Sequence, residues 1–212
     1  MTPMSMAETS HEFEMTGGAL CLDFANTLGD RPRSTEEHLA AYRDLLRFSR
    51  QAGSLPVEAL DELEHLSEEY SRKATSAFRR AIKVRETLYR IFGCLACDQE
   101  PQVEDIRFLN SELNKTLHQL EIRAQDGRFD WAWAGPGDAF DRPLWPVVRS
   151  AAELLASEDV TSVRECASET CSWLFVDRSR TRRRRWCDMS TCGNRAKARR
   201  HYQRRKQSHG SE

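Results

Sequence analysis

Cys166-Ala167-Ser168-Glu169-Thr170-Cys171, followed by Cys187-Asp188-Met189-Ser190-Thr191-Cys192, is the stretch from which the rest of the chain is read. Each pair encloses four residues, and fifteen residues separate the pairs. Zinc takes four soft or borderline ligands in a tetrahedron, and two short-spaced pairs on separate turns supply them without strain. The chain of 212 residues has seven cysteines, an odd number, and four of them crowd into 27 residues. That is no disulfide framework. The opening segment Met1 to Met15 carries Glu8, Glu12 and Glu14 and lacks an apolar core, so no export signal is read there. A reducing cytoplasm is then expected, where clustered cysteines bind metal more often than they pair. The expectation is one structural zinc ion on Cys166, Cys171, Cys187 and Cys192. His201, nine residues past Cys192, is the alternative fourth ligand, but the four-cysteine set is preferred. The set is closed and no Glu or His base is placed beside it, so nothing marks the metal as catalytic.

Between the pairs, Trp173-Leu174-Phe175-Val176 is aromatic and β-branched, and Arg184-Arg185-Trp186 approaches the second pair, which suits the two arms of a hairpin. Trp173 and Phe175 are expected to form the small core. After Cys192 come Gly193-Asn194 and then Arg195-Ala196-Lys197-Ala198-Arg199-Arg200, a helix-forming run. Knuckle, hairpin and helix make a treble-clef-like finger. About 45 residues bury too little to fold alone, and zinc binding worth roughly 10–16 kcal/mol would supply what packing does not. On that basis the finger is expected to unfold on chelation while the remainder survives.

The formal net charge of −1 conceals a segregation. Residues 164–206 hold 14 Lys+Arg against 4 Asp+Glu, whereas residues 1–163 hold 18 against 28. A basic segment beside an acidic body is the footprint of nucleic-acid binding, the bland alternative being a solvated tail. Arginine predominates, which suits bidentate phosphate or guanine contacts. The candidates are Arg182, Arg183, Arg184 and Arg185 on the second hairpin arm, and Arg195, Lys197, Arg199, Arg200, Arg204 and Arg205 on the helix. Arg195/Arg199 and Arg200/Arg204 are spaced i, i+4 and project together, an arrangement favourable only beside an anion. DNA is the expected partner. RNA stays open, since Trp173, Phe175, Trp186 and Tyr202 could stack on unpaired bases.

The fold class expected is mainly α: a helical domain with one small β-hairpin, followed by the finger. Ser34 and Glu37 form a capping-box signature ahead of Leu39, Tyr42, Leu45 and Leu46, with Gly53 closing that helix. Val57, Leu60, Leu63 and Leu66 mark a second helix, and about Ala74 to Cys97 a third. Ile106, Leu109, Leu113 and Leu117 mark a fourth, and about Pro143 to Ser157 the last. Leu120–Arg123 and Phe129–Trp133 alternate in polarity around Asp126-Gly127, a hairpin signal. The boundaries expected are a flexible tail over 1–15, the helical domain over 16–159, the finger over 160–206 and a tail over 207–212.

Remaining candidates are weaker. Cys94-Leu95-Ala96-Cys97 resembles a redox motif but lies in a helical pattern, which favours helical core cysteines. Asp23 and Asn26, three apart on a short helix from Leu20, either tie the N-terminal segment or line a pocket for a small-molecule effector. No apolar run nears the ~20 residues that cross a bilayer, so no membrane partner is expected. No phosphate loop or nucleophile motif is present, which makes an enzyme the weakest class.

Arg164-Glu165-Cys166, Cys171 to Ser179, Arg184 to Met189 and above all Cys192-Gly193-Asn194-Arg195 resemble the CGNR zinc-finger family over about 40 residues. Gly18-Ala19-Leu20-Cys21-Leu22-Asp23-Phe24-Ala25-Asn26-Thr27 is similar to the ABATE domain that usually precedes that finger. The resemblance implies a bacterial, stress-related transcription regulator whose helical domain senses or forms a homodimer. Two alternatives are carried: an RNA-binding or ribosome-associated protein, and a zinc-stapled protein-interaction module or an enzyme with its site in the helical domain.

Overall fold

The computed structural model describes residues 12–31 and 36–209 and is mainly helical. The longest helix, α4 (Ser71–Ala96), buries Ala74, Ala77, Ala81, Val84, Leu88, Ile91 and Phe92 at spacings of three and four. Around it pack α1 (Leu20–Ala25), α2 (Tyr42–Gln51), α3 (Val57–Glu69), α5 (Val103–Leu117) and α6 (Leu144–Leu155). Six residues cannot hold a helix in water. The short α1 exists because Cys21, Leu22, Phe24 and Ala25 are wholly buried, between α4 and α6. Burial pushes the Cys21 thiol up to about 12, so it behaves as an inert core group.

Helix α2 departs from its expected start. It begins at Tyr42, where the buried Asp44 carboxylate accepts from the Ala40 and Ala41 amides at 2.8 and 2.9 Å. Ser34 lies outside the described residues. Glu37 is not a capping residue but part of a two-residue strand β2 (Glu36–Glu37) paired with β1 (Leu28–Gly29). Its carboxylate receives the guanidinium of Arg85, itself 2% exposed, in two hydrogen bonds of 2.6 and 2.8 Å. The N-terminal segment also differs from a free tail. Phe13 is buried edge-on against Phe48, and Gln51 bonds its backbone N–H and C=O at 2.7 and 2.6 Å.

The expected hairpin is present as β3 (Leu120–Gln125) and β4 (Arg128–Trp133), turned at Asp126 and Gly127, both with positive φ. Leu120 and Trp133 anchor its base, with Trp133 against Trp145, while Ile122, Phe129 and Trp131 stand in solvent. Cys94 and Cys97 are not core residues. They fall at the end of α4, Cys94 half-buried and Cys97 exposed.

The finger's hairpin differs from the expected one. Strand β5 (Val163–Glu165) pairs antiparallel with β6 (Leu174–Val176), so the first cysteine pair lies in the hairpin's own loop. Residues 182–185 form an irregular loop instead of the second arm. Val163, Leu174 and Val176, all at most 3% exposed, belong to the same hydrophobic core as the helical body. The contact is reinforced by polar clasps. Asn26 accepts from the Leu174 amide at 2.8 Å and donates to the Leu174 carbonyl at 2.9 Å. Val176 donates its amide to the Gly17 carbonyl, and Arg178 bonds both the Gly18 carbonyl and Asp159. Finger and body therefore share one core, against the expectation of separately stabilised parts.

Asn26→Ala would leave an N–H and a C=O of Leu174 unpaired inside the protein, at about 1–3 kcal/mol each. The expected loss is roughly 2–5 kcal/mol, or some 5–15 °C in Tm, read by urea and thermal denaturation. A loss below about 1 kcal/mol would show that the clasp does not hold the finger to the body.

Candidate metal centre and the surfaces around it

The four cysteines arrive from two constructions. Cys166 directly follows β5, its amide bonded to the Trp173 carbonyl, and Cys171 closes the loop through an amide bond to the Ser168 carbonyl. The second pair straddles a single wide helical turn, Met189–Gly193, that leads into α7 (Asn194–His209). Asp188 starts that turn: its carboxylate accepts from the Thr191 amide at 2.8 Å and the Ser190 hydroxyl at 2.5 Å. Asn194 then donates its side-chain amide to the Ser190 carbonyl. The Ala167 amide bonds the Arg185 carbonyl and ties the two halves together.

All four thiols are buried, and their sulfurs lie within 4.8 Å of one another. Cys187 stands 3.7 Å from both Cys171 and Cys192, far beyond a disulfide bond. A tetrahedron with Zn–S of about 2.3 Å has edges of about 3.8 Å, so the cluster fits one zinc ion. The electrostatics agree. Cys166 is pulled well below the usual thiol range because Cys171 and Cys187 donate to it, and those two are pushed up for the same reason. A buried cluster of that kind cannot carry four negative charges by itself, and a dication removes the conflict. Phe175, fully buried, packs on the cluster with Trp173 and Trp186. His201 is exposed on α7 and outside the cluster.

The basic residues divide into two groups. Arg184 belongs to the scaffold: its guanidinium stacks 4.6 Å from the Phe175 ring centroid and donates to the Trp186 and Cys187 carbonyls. Its amide, with that of Ser179, is held by the buried Asp177 carboxylate. Arg195 bonds the Thr170 hydroxyl, and Arg199 forms an ion pair with Glu169, so both lean on the first knuckle. Arg182, Arg183, Arg185, Lys197 and Arg200 are exposed, and among the described residues they form no side-chain hydrogen bond or ion pair. Arg185 lies over the Trp186 ring. The side chains of Arg204 and Arg205 lie outside the described residues.

Asp23 and Asn26 have different tasks. Asn26 clasps Leu174, as described above. Asp23, 9% exposed, accepts from the Gly17 amide at 2.7 Å. Gly17 is required there, because a Cβ would stand 2.9 Å from Leu22 Cβ and 3.0 Å from the Asp23 amide. Both residues border a cleft of ≈270 Å³ whose far wall is the finger, at Thr170, Cys171, Trp173, Cys192 and Arg195. Leu174 and Asp177 stand in the finger stretches quoted from the sequence without an assigned role there, and Gly17 and the scaffold role of Arg184 are not read from it. The Gly17-Gly18 pair before α1 was the one visible signal.

Purified protein is expected to carry one zinc per chain, and Cys187→Ala with Cys192→Ala to lose it. Because the core is shared, chelation should lower the melting transition of the whole protein; a helical transition untouched by chelator, read by circular dichroism, would contradict this. A second expectation concerns pH. Burial pushes the Asp23 carboxyl up to about 6, opposed by the Gly17 amide, from an ordinary 3.8. The folded state then holds a proton that the unfolded state has released, so stability falls as pH rises from about 4 to about 6 and levels beyond. Asp23→Asn keeps the Gly17 bond and removes the charge, so it should flatten that decline, which amounts to at most about 3 kcal/mol. An unchanged pH profile of Tm would refute the assignment.

Comparison with protein-family models matches residues 18–158 to the ABATE family, described as "Putative stress-induced transcription regulator", and residues 162–205 to the CGNR zinc finger. A comparison with curated proteins finds no match. The ABATE match spans about two thirds of the chain and begins at the turn before α1, and the CGNR match takes in all four cysteines. The protein therefore belongs to the ABATE family and carries a zinc-binding CGNR finger on the end of its helical domain.

Proposed function

We propose that this zinc-binding regulator acts by binding duplex DNA through the arginine loop at 182–185 and the exposed side of α7. The observation that carries this reading is the set of exposed cations at Arg182, Arg183, Lys197 and Arg200, without a hydrogen bond or ion pair among the described residues, on two elements anchored at the metal centre. Zinc stays out of the contact and fixes the scaffold. Arg184, stacked on Phe175, holds the loop that presents its neighbours. Helix α7 has 16 residues, a length of about 24 Å, and a width that a major groove admits. A base contact by Arg199 would cost its ion pair with Glu169, so Lys197 and Arg200 are the readier groups.

The RNA reading loses support from the packing of Trp173 and Phe175 onto the cysteine cluster, since neither is free to stack on a base. Tyr202, 69% exposed, is the aromatic that remains available on α7. Neither matched family is described as an enzyme. The helical body, in this reading, senses or dimerises.

Each phosphate contacted on duplex DNA steepens the slope of log affinity against log salt by about 0.9. Arg183→Ala is expected to weaken all duplexes alike and to flatten that slope by about one unit, measured on full-length zinc-loaded protein. Selection from genomic fragments gives the preferred sites, and competition with structured RNA separates the two nucleic acids. If zinc-loaded protein shows no salt-sensitive binding to either at low ionic strength, the nucleic-acid reading fails and a zinc-stapled protein-interaction module replaces it.

A further inference from the structure

We propose that the β3–β4 hairpin is a self-association surface, whose apolar face packs on the same face of a second copy of this chain across a two-fold axis. The register sets Leu120 opposite Trp133, Ile122 opposite Trp131 and Ala124 opposite Phe129. Side chains alternate along a strand, so these six share one face, while Glu121, Arg123, Arg128 and Asp130 take the other.

The apolar face is continuous with the body at one end and open at the other. Its base is closed by α6, where Trp133 packs on Trp145 and the Arg149 guanidinium lies 5.0 Å from the Trp131 ring centroid. Farther out, Ile122 is 55%, Trp131 58% and Phe129 75% exposed. A two-stranded hairpin is marginal in water unless a face of it is covered.

Area selects the occupant. At those exposures the three side chains hold about 400 Å² of apolar surface, the size of patch that marks a contact site on a monomer. Two copies face to face would cover about 800 Å² of it. With apolar atoms making up about 65% of a homodimer interface, the total comes to about 1,200 Å², where specific interfaces begin. The patch and its own image therefore suffice for a reversible dimer.

Charge points the same way. The ionic groups on the hairpin and against it balance, Glu121, Asp126 and Asp130 opposing Arg123, Arg128 and Arg149. Residues 1–163 as a whole hold 28 acidic against 18 basic residues, so two bodies repel over most of their surface and meet without net repulsion here. A neutral apolar face is its own complement under a two-fold, whereas a polyanion finds no excess of cations on it.

This gives the dimerising role of the helical body a surface and takes nothing from the DNA contact. Only one consequence rests on that contact: fingers related by a two-fold would read inverted half-sites. The test is therefore made without nucleic acid. Sedimentation velocity of full-length, zinc-loaded protein over a concentration series should show a reversible monomer–dimer equilibrium in the micromolar range. Phe129→Glu puts a charge into the covered face and should raise the dimer dissociation constant about tenfold or more. Ile122→Lys should do the same, and it decides alone if the first variant does not fold. Val103→Glu alters an apolar residue that is 58% exposed at the start of α5, and should leave the constant within about twofold. The proposal is overturned if the protein is monomeric at about 100 μM, including the case in which the monomer instead sediments with phosphatidylcholine–phosphatidylglycerol vesicles. It is also overturned if a folded hairpin variant dimerises as the original does, or if Val103→Glu weakens dimerisation as much. A monomer that still binds DNA in a salt-sensitive way removes this surface and leaves the DNA reading standing; a dimer that binds no nucleic acid does the opposite.

Discussion

Everything the finger does depends on its root in the body, the hairpin β5–β6 inserted into the helical core and clasped by Asn26. A four-cysteine centre fixes residues 166–171 against residues 187–192 and nothing more. Orientation relative to the helices comes from Val163, Leu174 and Val176, each buried side chain worth about 1.5–3 kcal/mol, and from the two Asn26 bonds. Metal binding is the larger single term, at roughly 10–16 kcal/mol, but it acts within the finger. The two contributions meet at Leu174 and Phe175, adjacent residues of one strand. Leu174 faces the helical core and Phe175 faces the cysteines, as the alternation of a strand requires.

Features written in local pattern were legible in the sequence. The helical stripes of α3 to α6 and the Asp126-Gly127 turn follow from spacings of three to four and from a dipeptide that tolerates positive φ. The metal ligands follow from two equal spacings. Contacts between residues far apart in the chain were not legible in the same way. Asn26 and Leu174 are 148 positions apart, and no periodicity announces a side-chain amide that completes a strand. Glu37 shows the reverse failure. It sits three residues after Ser34, which mimics a capping box, yet its carboxylate is claimed by Arg85, 48 positions away. Strand β5 has three residues, too few for alternation to register.

The arginines show why charge counting overstates a binding surface. Arg184 would be expected to contact phosphate by its neighbours' example, but it lies over Phe175 and ties two carbonyls near the second cysteine pair. A guanidinium can do this because it is planar, weakly hydrated and rich in donors, and a lysine could not replace it there. Arg195 and Arg199 brace α7 against the first knuckle at Thr170 and Glu169. Of the candidates whose side chains are described, the set left for the proposed polyanion is smaller: Arg182, Arg183, Arg185, Lys197 and Arg200, carried on elements that the other arginines hold in place.

Asp23 and Asn26 are one helical turn apart, and that spacing joins the cleft to the finger. Asp23 borders the cleft; Asn26 also borders it and holds Leu174 at the finger's root. Across the cleft stand Cys171 and Cys192, so the wall is built from the metal centre itself. Arg195 also lies in the first turn of the helix on which Lys197 and Arg200 are displayed. The cleft wall and the cationic side of α7 are thus carried by one helix, and the bond of Arg195 to Thr170 sets where Lys197 and Arg200 stand relative to the metal centre.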